Sequence, residues 1–430
     1  MSSTRPPVPH GLVLQPFRAL RFAAGTDLAS LTSPPYDVID EPERTRLEAR
    51  SPHNVVRLIL PRESDDEAGT GDRYAVAAAL LQRWTSEQIL IRDPEPALYA
   101  YEQSVGGHTS RGLLGGVALA RAEDGIILPH ENTMAGPVAD RLALLRATEA
   151  DLEPIFLVYA GSGSTASLLS AVVAKPPLVD VELTDPAGSE PTRHRLWPVT
   201  DPDLLTALAD DLVPRRATIA DGHHRYATYL RYQEERHEAG DGAGPWDYGL
   251  AFLVDASSYG PEVHAIHRVV AGLPLDEAVS RARQGFSARE LGADEQPMAE
   301  LAEAGRGGTA FVLTDGSRSV LLTEPDRKGV ADAVPADRSD AWRSLDVTIA
   351  HAYLIRELWQ LADREDVVDF AHDVATAVRS AAQHGGTALL LNPTPVEAVA
   401  AVAEAGDRMP RKSTLFTPKP ATGVVIRPLD

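Results

Sequence analysis

The stretch Arg216–Gln233, RATIADGHHRYATYLRYQ, carries the strongest local signal in the chain. RATIA is a short run of strand character, Asp221-Gly222 is a tight turn, and a helical pattern opens at His223 and runs to Ala239. Asp221 has the chemistry of a helix cap. Gly222 lets the backbone approach a ligand closely. His223, His224 and Arg225 then fall on the first helical turn, where unpaired N–H groups and the helix dipole favour an anion. Phosphate is the natural guest, because a guanidinium pairs with it bidentately. The bland alternative is a capped helix with surface histidines, but two adjacent histidines and an arginine in that first turn are unusual for it.

Working outward, strand-like runs occur at VVRLIL (Val55–Leu60), Ala97–Val105 and Gly112–Ala120, the last two flanking Gly106-Gly107 as a hairpin turn. More follow at Ile155–Ala160, Leu178–Thr184, Arg195–Thr200, Tyr248–Ala256, Val263–Val270 and Thr387–Asn392. TAFVLT and SVLLTE bracket Asp315-Gly316, a second hairpin signal. Helices are expected at Asp201–Leu212, His223–Ala239, Val367–His384 and Val396–Ala405, the last stopped by Gly406. Hairpins mixed with interspersed helices define an α+β (mixed α/β) class rather than a regular βαβ array. Flexible stretches are expected at Pro61–Asp72, Ala239–Pro245 and Thr323–Asp340.

The 430 residues suggest two or three domains. We expect a division into residues 1–250 and residues 251–430. The formal net charge of −21 argues against a nucleic-acid or anionic-membrane partner, since both attract a basic surface. Of the 41 basic residues only Lys175, Lys328, Lys412 and Lys419 are lysines. The absence of cysteine excludes disulfides, thiolate metal sites and a thiol nucleophile, and fits a reducing cytoplasm. No apolar leader and no stretch long enough to span a bilayer is expected.

Three further segments carry chemistry. Ile126–Thr148 places His130 beside Glu131, with Asp140 and Arg141 opening an amphipathic helix; a His–Glu pair suits general-base work. Met409–Ile426, MPRKSTLFTPKPATGVVI, holds two of the four lysines, and Lys412-Ser413-Thr414 offers an ammonium and two hydroxyls to a phosphate. SPPYDVID, Ser33–Asp40, sets Tyr36 and Asp37 in a proline-fixed turn. GSGSTA, Gly161–Ala166, mimics the dinucleotide fingerprint, with Asp180 and Glu182 about 20 residues on, but no βαβ repeats accompany it. There is no P-loop, HExxH, GxSxG or EF-hand pattern.

In this order, QPFRALRF (Gln15–Phe22), SPPYDVID, HENT with Asp140-Arg141, ADGHHR (Ala220–Arg225), IHRVV (Ile266–Val270) and MPRKSTLFTPK resemble a bacterial and archaeal family known as a domain of unknown function, number ten-fifteen. The resemblance covers nearly the whole chain. HAIHRVV is more histidine-rich than the family usually shows. The DGHHR element also resembles that of the ParB/sulfiredoxin superfamily, which includes CTP-binding ParB proteins, sulfiredoxin and free serine kinases using ADP, and in which this turn binds nucleotide phosphates.

The resemblance implies a ParB/sulfiredoxin-like core with an additional mixed sheet and helices. It implies a nucleotide or phosphate site more strongly than a reaction; with the residues above, the expectation is a nucleotide (ADP, ATP or CTP), Mg²⁺ and phosphoryl transfer to a small hydroxyl substrate such as serine. The alternatives are a phosphomonoester hydrolase and a nucleotide-gated regulatory protein. On that reading Glu131, His130, Asp221, His223 and His224 are catalytic. Gly222, Arg225, Arg141, Lys412, Ser413, Thr414 and Lys419 bind phosphate, and Tyr36 and Asp37 bind substrate. The partner is a small molecule, with no nucleic acid and no membrane.

Overall fold

The computed structural model describes residues 6–63, 72–184, 190–362, 364 and 367–430. The chain divides into two compact units, residues 1–261 with 418–430 (unit 1) and residues 262–417 (unit 2).

Unit 1 is built on a nine-stranded mixed sheet. Its elements include β1 (Leu98–Val105), β2 (His108–Ala118), β3 (Ile127–Leu128), α1 (Ala135–Thr148), β4 (Ile155–Tyr159) and α2 (Ser164–Val173). They continue through β5 (Val179–Leu183), β6 (Thr192–Val199), α3 (Pro202–Leu212), β7 (Ala217–Asp221), α4 (His223–Ala239) and β8 (Tyr248–Asp255). The strand order is β3-β7-β4-β8-β2-β1-β6-β5, with the short strand Leu14–Gln15 paired to β2. The β3–β7 and β4–β8 pairs are parallel; the others are antiparallel. The first boundary between units lies beyond β8, rather than at residue 250 within that strand, and residues 418–430 return to unit 1.

The Gly106-Gly107 turn joins β1 to β2 as the sequence indicates. Asp201 caps α3 by accepting from the N–H groups of Asp203 and Leu204 at 2.9 and 3.1 Å. Helix α4 lays Tyr226, Tyr229 and Tyr232 into the core. The repeat of three approximates the helical period, so one face is buried. Each such ring contributes roughly 1.5–3 kcal/mol on burial. Tyr226 receives the Ala120 N–H at 3.0 Å and Tyr229 donates to the Glu153 carbonyl at 3.0 Å, so the buried hydroxyls are satisfied. Gly249 on β8 admits the Tyr229 ring; a Cβ there would lie 2.4 Å from it.

Two expectations are corrected in unit 1, and the GSGSTA mimic set aside above has its own explanation. VVRLIL is not a strand: Val56–Ile59 is a helical turn. Its start is set by buried Asn54, whose Oδ1 accepts from Val56 N at 3.0 Å while Nδ2 donates to the Ser30 and Thr32 carbonyls. Helix α1 begins at Ala135, so Asp140 and Arg141 lie within it rather than opening it. The GSGSTA loop is not a phosphate cradle, because the Gly161 and Gly163 N–H groups each donate at 3.0 Å to the buried Asp255 carboxylate. Asp255 fills the place an anion would need.

Unit 2 holds β9 (Glu262–His264), β10 (His267–Val270), β11 (Ser287–Glu290), β12 (Phe311–Thr314), β13 (Ser319–Thr323), β14 (Asp369–Ala371), α5 (Val374–Gln383), β15 (Thr387–Leu391), α6 (Val396–Glu404) and β16 (Leu415–Thr417). Six strands form an antiparallel sheet in the order β11-β13-β12-β15-β10-β14, and β9 pairs with β16. The expected strand Val263–Val270 is therefore two strands in different sheets. The expected helix Val367–His384 starts only at Val374, capped by Asp373 through Thr376 N at 2.8 Å, after strand β14. The stretch Thr323–Asp340 contains a helix at Arg327–Ala333. Most of Pro61–Asp72 lies outside the described residues. Among the described residues no helix is long and apolar enough to cross a membrane.

Candidate functional site at the start of helix α4

Strand β7 ends in Asp221, and Gly222 turns the chain into α4 with φ +89 and ψ 30. That left-handed conformation is the reason for glycine at this point. A Cβ there would also lie 3.1 Å from the Arg225 guanidinium. Gly222 brings no side-chain cap to α4. The expected cap, Asp221, is used otherwise: its carboxylate takes Lys419 Nζ at 2.5 Å and Arg225 Nη2 at 2.6 Å. Burial alone would raise the Asp221 pKa, but the two cations outweigh it and hold the carboxyl below its usual value.

Lys419 reaches this point from the far end of the chain and also lies 3.5 Å from Asp37. Burial opposes its charge, yet Asp221 and Asp37 raise its pKa above the ordinary lysine value, so it is a fixed cation. Its segment is held in turn: buried Gln103 donates to the Lys419 carbonyl at 2.7 Å, and Ala421 N donates to the Tyr101 hydroxyl at 3.2 Å. Tyr101 is in hydrogen-bond contact with His194 Nδ1 at 2.6 Å, and burial pushes that imidazole down to about 3, so it stays neutral.

Arg225 is buried, with 3% of its surface exposed. It binds Asp221 and donates to the Pro154 carbonyl. Its place is behind the turn, supporting Asp221, rather than at an open surface. Arg141 is also buried; it holds Asp140 at 2.6 Å and the Ile59 carbonyl at 2.6 Å, and stacks over the Tyr36 ring at 4.4 Å. Glu153, which no sequence signal marked, joins these groups. It accepts from Tyr36 N at 2.9 Å and Thr422 Oγ1 at 3.2 Å and lies 3.9 Å from Arg141. Burial raises its pKa despite Arg225 and Arg141. Burial likewise pushes the Tyr36 hydroxyl up to about 12. Arg141, Glu153, Arg225, Thr228 and Tyr229 line part of a cavity of about 30 Å³, room for one or two water molecules.

The HENT loop is fastened to the first turn of α4 through its backbone. His223 Nε2 accepts the His130 N–H at 3.2 Å, and His224 Nε2 accepts the Met134 N–H at 3.0 Å. A ring nitrogen that accepts carries no proton, so a neutral ring keeps its proton on Nδ1. His223 Nδ1 lies 3.7 Å from Glu131, and Glu131 lies 3.8 Å from His130 Nε2. The two imidazoles meet edge to face at 4.6 Å. Burial lowers the His224 pKa, outweighing Asp37. Glu131, 41% exposed, is thus set beside two imidazoles at the mouth of the helix.

Four of the sequence segments therefore converge within unit 1: Tyr36-Asp37, His130-Glu131 with Arg141, Asp221–Arg225, and Lys419. Lys412, Ser413 and Thr414 belong to unit 2. There Lys412 has φ +53, and Ser413 is buried and donates to the Pro410 carbonyl. Among the described residues no group of three or more His, Asp or Glu side chains could hold a metal ion by itself.

Fold and site together define a mixed α/β protein with a buried cation–carboxylate cluster at a strand-to-helix turn. The chain belongs to the family described as "Protein of unknown function (DUF1015)", which matches residues 14–348. No curated protein matches it. Among solved structures it is similar to a free serine kinase in complex with AMP, at 16% identity over 68% of this chain and 83% of that chain, with a TM-score of 0.30. It is similar to SbnI with C-terminal truncation from Staphylococcus aureus, at 11% identity over 74% and 87%, with a TM-score of 0.34. A conserved hypothetical protein from Pyrococcus furiosus matches at 14% identity over 68% and 87%, with a TM-score of 0.29. With every one of these TM-scores below 0.5, the chemistry rests on the site's own geometry.

Proposed function

We propose that the protein binds the phosphates of a nucleotide (ADP, ATP or CTP) at the start of α4 and transfers the terminal phosphoryl group to a small hydroxyl substrate such as serine. The observation that carries this reading is the convergence of Lys419, Asp37, Asp221 and Glu131 on the N-terminus of a 17-residue helix entered through a left-handed glycine. The N–H groups of that turn and the Lys419 ammonium supply positive potential to a phosphate chain. Arg225 adds charge from behind and fixes Asp221. The DGHHR resemblance supports the same assignment, with unit 1 as the ParB/sulfiredoxin-like core.

Mg²⁺ arriving with the phosphates would be held by Asp37, since Lys419 and Arg225 occupy the two Asp221 oxygens, and would neutralise charge on the phosphate oxygens. Asp221, depressed by two cations, is a poor base. Glu131 is exposed and adjoins two imidazoles, so it takes the substrate hydroxyl proton. The freed oxygen attacks the terminal phosphorus, the bond to the bridging oxygen breaks, and the nucleotide leaves one phosphate shorter. Lys419 meets the charge that develops on the leaving oxygen.

The test is calorimetry with ADP, ATP and CTP in the presence of Mg²⁺, followed by ³¹P NMR with serine. Phosphoserine together with the shortened nucleotide supports the reading. Phosphate release from phosphoserine without nucleotide would make the protein a hydrolase. Binding without product would make it a regulatory switch. No binding of any nucleotide sinks the proposal.

A further inference from the structure

Large apolar side chains left exposed among the described residues are Val8, Val38, Met134 and Leu178. Two of these four border the α4 turn. Val38, 50% exposed, follows Asp37 directly, and Asp37 lies 3.5 Å from Lys419. Met134, 63% exposed, is tied by its own N–H to His224. Neither is explained by folding. Met134 occupies the N-cap of α1 and makes no side-chain cap bond. Methionine there forgoes the stabilisation that Ser, Thr, Asp or Asn supplies. Its backbone is nevertheless pinned by the His224 ring, so the site itself places this residue at the edge of the turn. Val38 closes the turn Tyr36–Val38, and a β-branched side chain is stiff at χ1, so little freedom is lost on contact.

On the reading of the α4 turn as a phosphate site, we infer that Val38 and Met134 form the apolar rim that receives the heteroaromatic base of the nucleotide. A polarizable thioether suits the face or edge of an aromatic ring. A stiff aliphatic group suits the other side. Val38 and Met134 are the large exposed apolar side chains, among the described residues, on the two segments that border the turn, and so offer apolar surface to a base whose phosphates lie against Lys419. The residues nearest the phosphates then set affinity for the charge common to all nucleotides. The rim adds the part that depends on the base.

Calorimetry of wild type, Met134→Ser, Met134→Leu and Val38→Ser with MgATP and with magnesium tripolyphosphate tests this. Met134→Ser is expected to weaken ATP about tenfold, through lost apolar contact, and to leave tripolyphosphate within about twofold. Met134→Leu should recover most of the loss. Serine is a better N-cap than methionine, so Met134→Ser should unfold no more readily than wild type, and weaker binding could not be ascribed to misfolding. Equal affinity of wild type for ATP and tripolyphosphate overturns the inference while leaving the phosphate site standing. So does unchanged ATP binding in Met134→Ser, including the case where that variant alters self-association by sedimentation. Failure of wild type to bind either ligand removes both readings.

Discussion

Replacing Lys419 by methionine removes the ammonium 2.5 Å from Asp221 while keeping most of the stem volume. The two side chains are 18% and 12% exposed, so solvent screens them weakly. Two unit charges about 4 Å apart at an effective dielectric near 20 attract by about 4 kcal/mol. Arg225 stays on the other carboxylate oxygen at 2.6 Å, and loss of the ammonium also removes its own desolvation cost. Together these reduce the coupling to about 2 kcal/mol. A double-mutant cycle of Lys419→Met with Asp221→Asn isolates it, and hydrogen exchange of α4 peptides reads unit 1 separately from unit 2. Asp221 is held below its ordinary 3.8, so its contribution is present above that value and is lost as pH falls through the folded-state value. Lys419 is raised above 10.5, so its contribution is complete below 10.5 and is lost as pH rises through the folded-state value. The coupling should therefore stay constant from about pH 5 to about pH 9. A value under about 0.5 kcal/mol, the range of an exposed pair, or a drift across that window would refute the reasoning.

Gly222→Ala should destabilise unit 1 by about 1–2 kcal/mol from the left-handed backbone alone, read by the same exchange measurement, and weaken nucleotide binding because Arg225 must move. Glu131→Gln should lower phosphoryl transfer by about 10²–10⁴ while changing nucleotide affinity by less than about threefold; an unchanged turnover rate would acquit Glu131 as the base. Glu153→Gln tests the buried carboxyl. The wild-type folded state keeps this proton to higher pH than the unfolded chain, so unit 1 loses stability as pH rises from the ordinary 4.5 through the raised value. The variant should show a flatter pH dependence of unfolding above pH 4.5, measured by urea titration.

Much of this arrangement was written locally. The strand, Asp-Gly turn and helix at Arg216–Gln233 could be read because β pattern, glycine and helical period change within a few residues. Turns and helix stops elsewhere were legible for the same reason. VVRLIL misled because a short apolar run has no period of its own, and the deciding group is the Asn54 side chain just before it. Asp373 was a readable cap that dated the start of α5, but the apolar residues before it blurred the boundary. At the site, motif residues were visible and their partners were not. Glu153 and Gln103 sit in or beside buried strands and carry no local mark. The change of role for Asp221, from cap to receiver of Lys419 and Arg225, depends on a lysine nearly two hundred residues away. Asp255, which fills the GSGSTA loop, lies 94 residues from Gly161 and 92 from Gly163 and is likewise invisible to local pattern.

The pairing of β9 with β16 sets Glu262 opposite Thr417, so the two ends of unit 2 lie side by side. Bringing Lys419 to Asp221 while residues 262–417 are unfolded means closing a very long loop. Once those two strands have paired, with Asp221–Pro261 already folded, the effective loop is only a few residues. Five doublings of loop length separate the two cases, about 3 kcal/mol of closure entropy. Folding of the inserted unit thus acts as a clasp, lowering the entropic barrier to fastening the last lysine onto a strand made long before it.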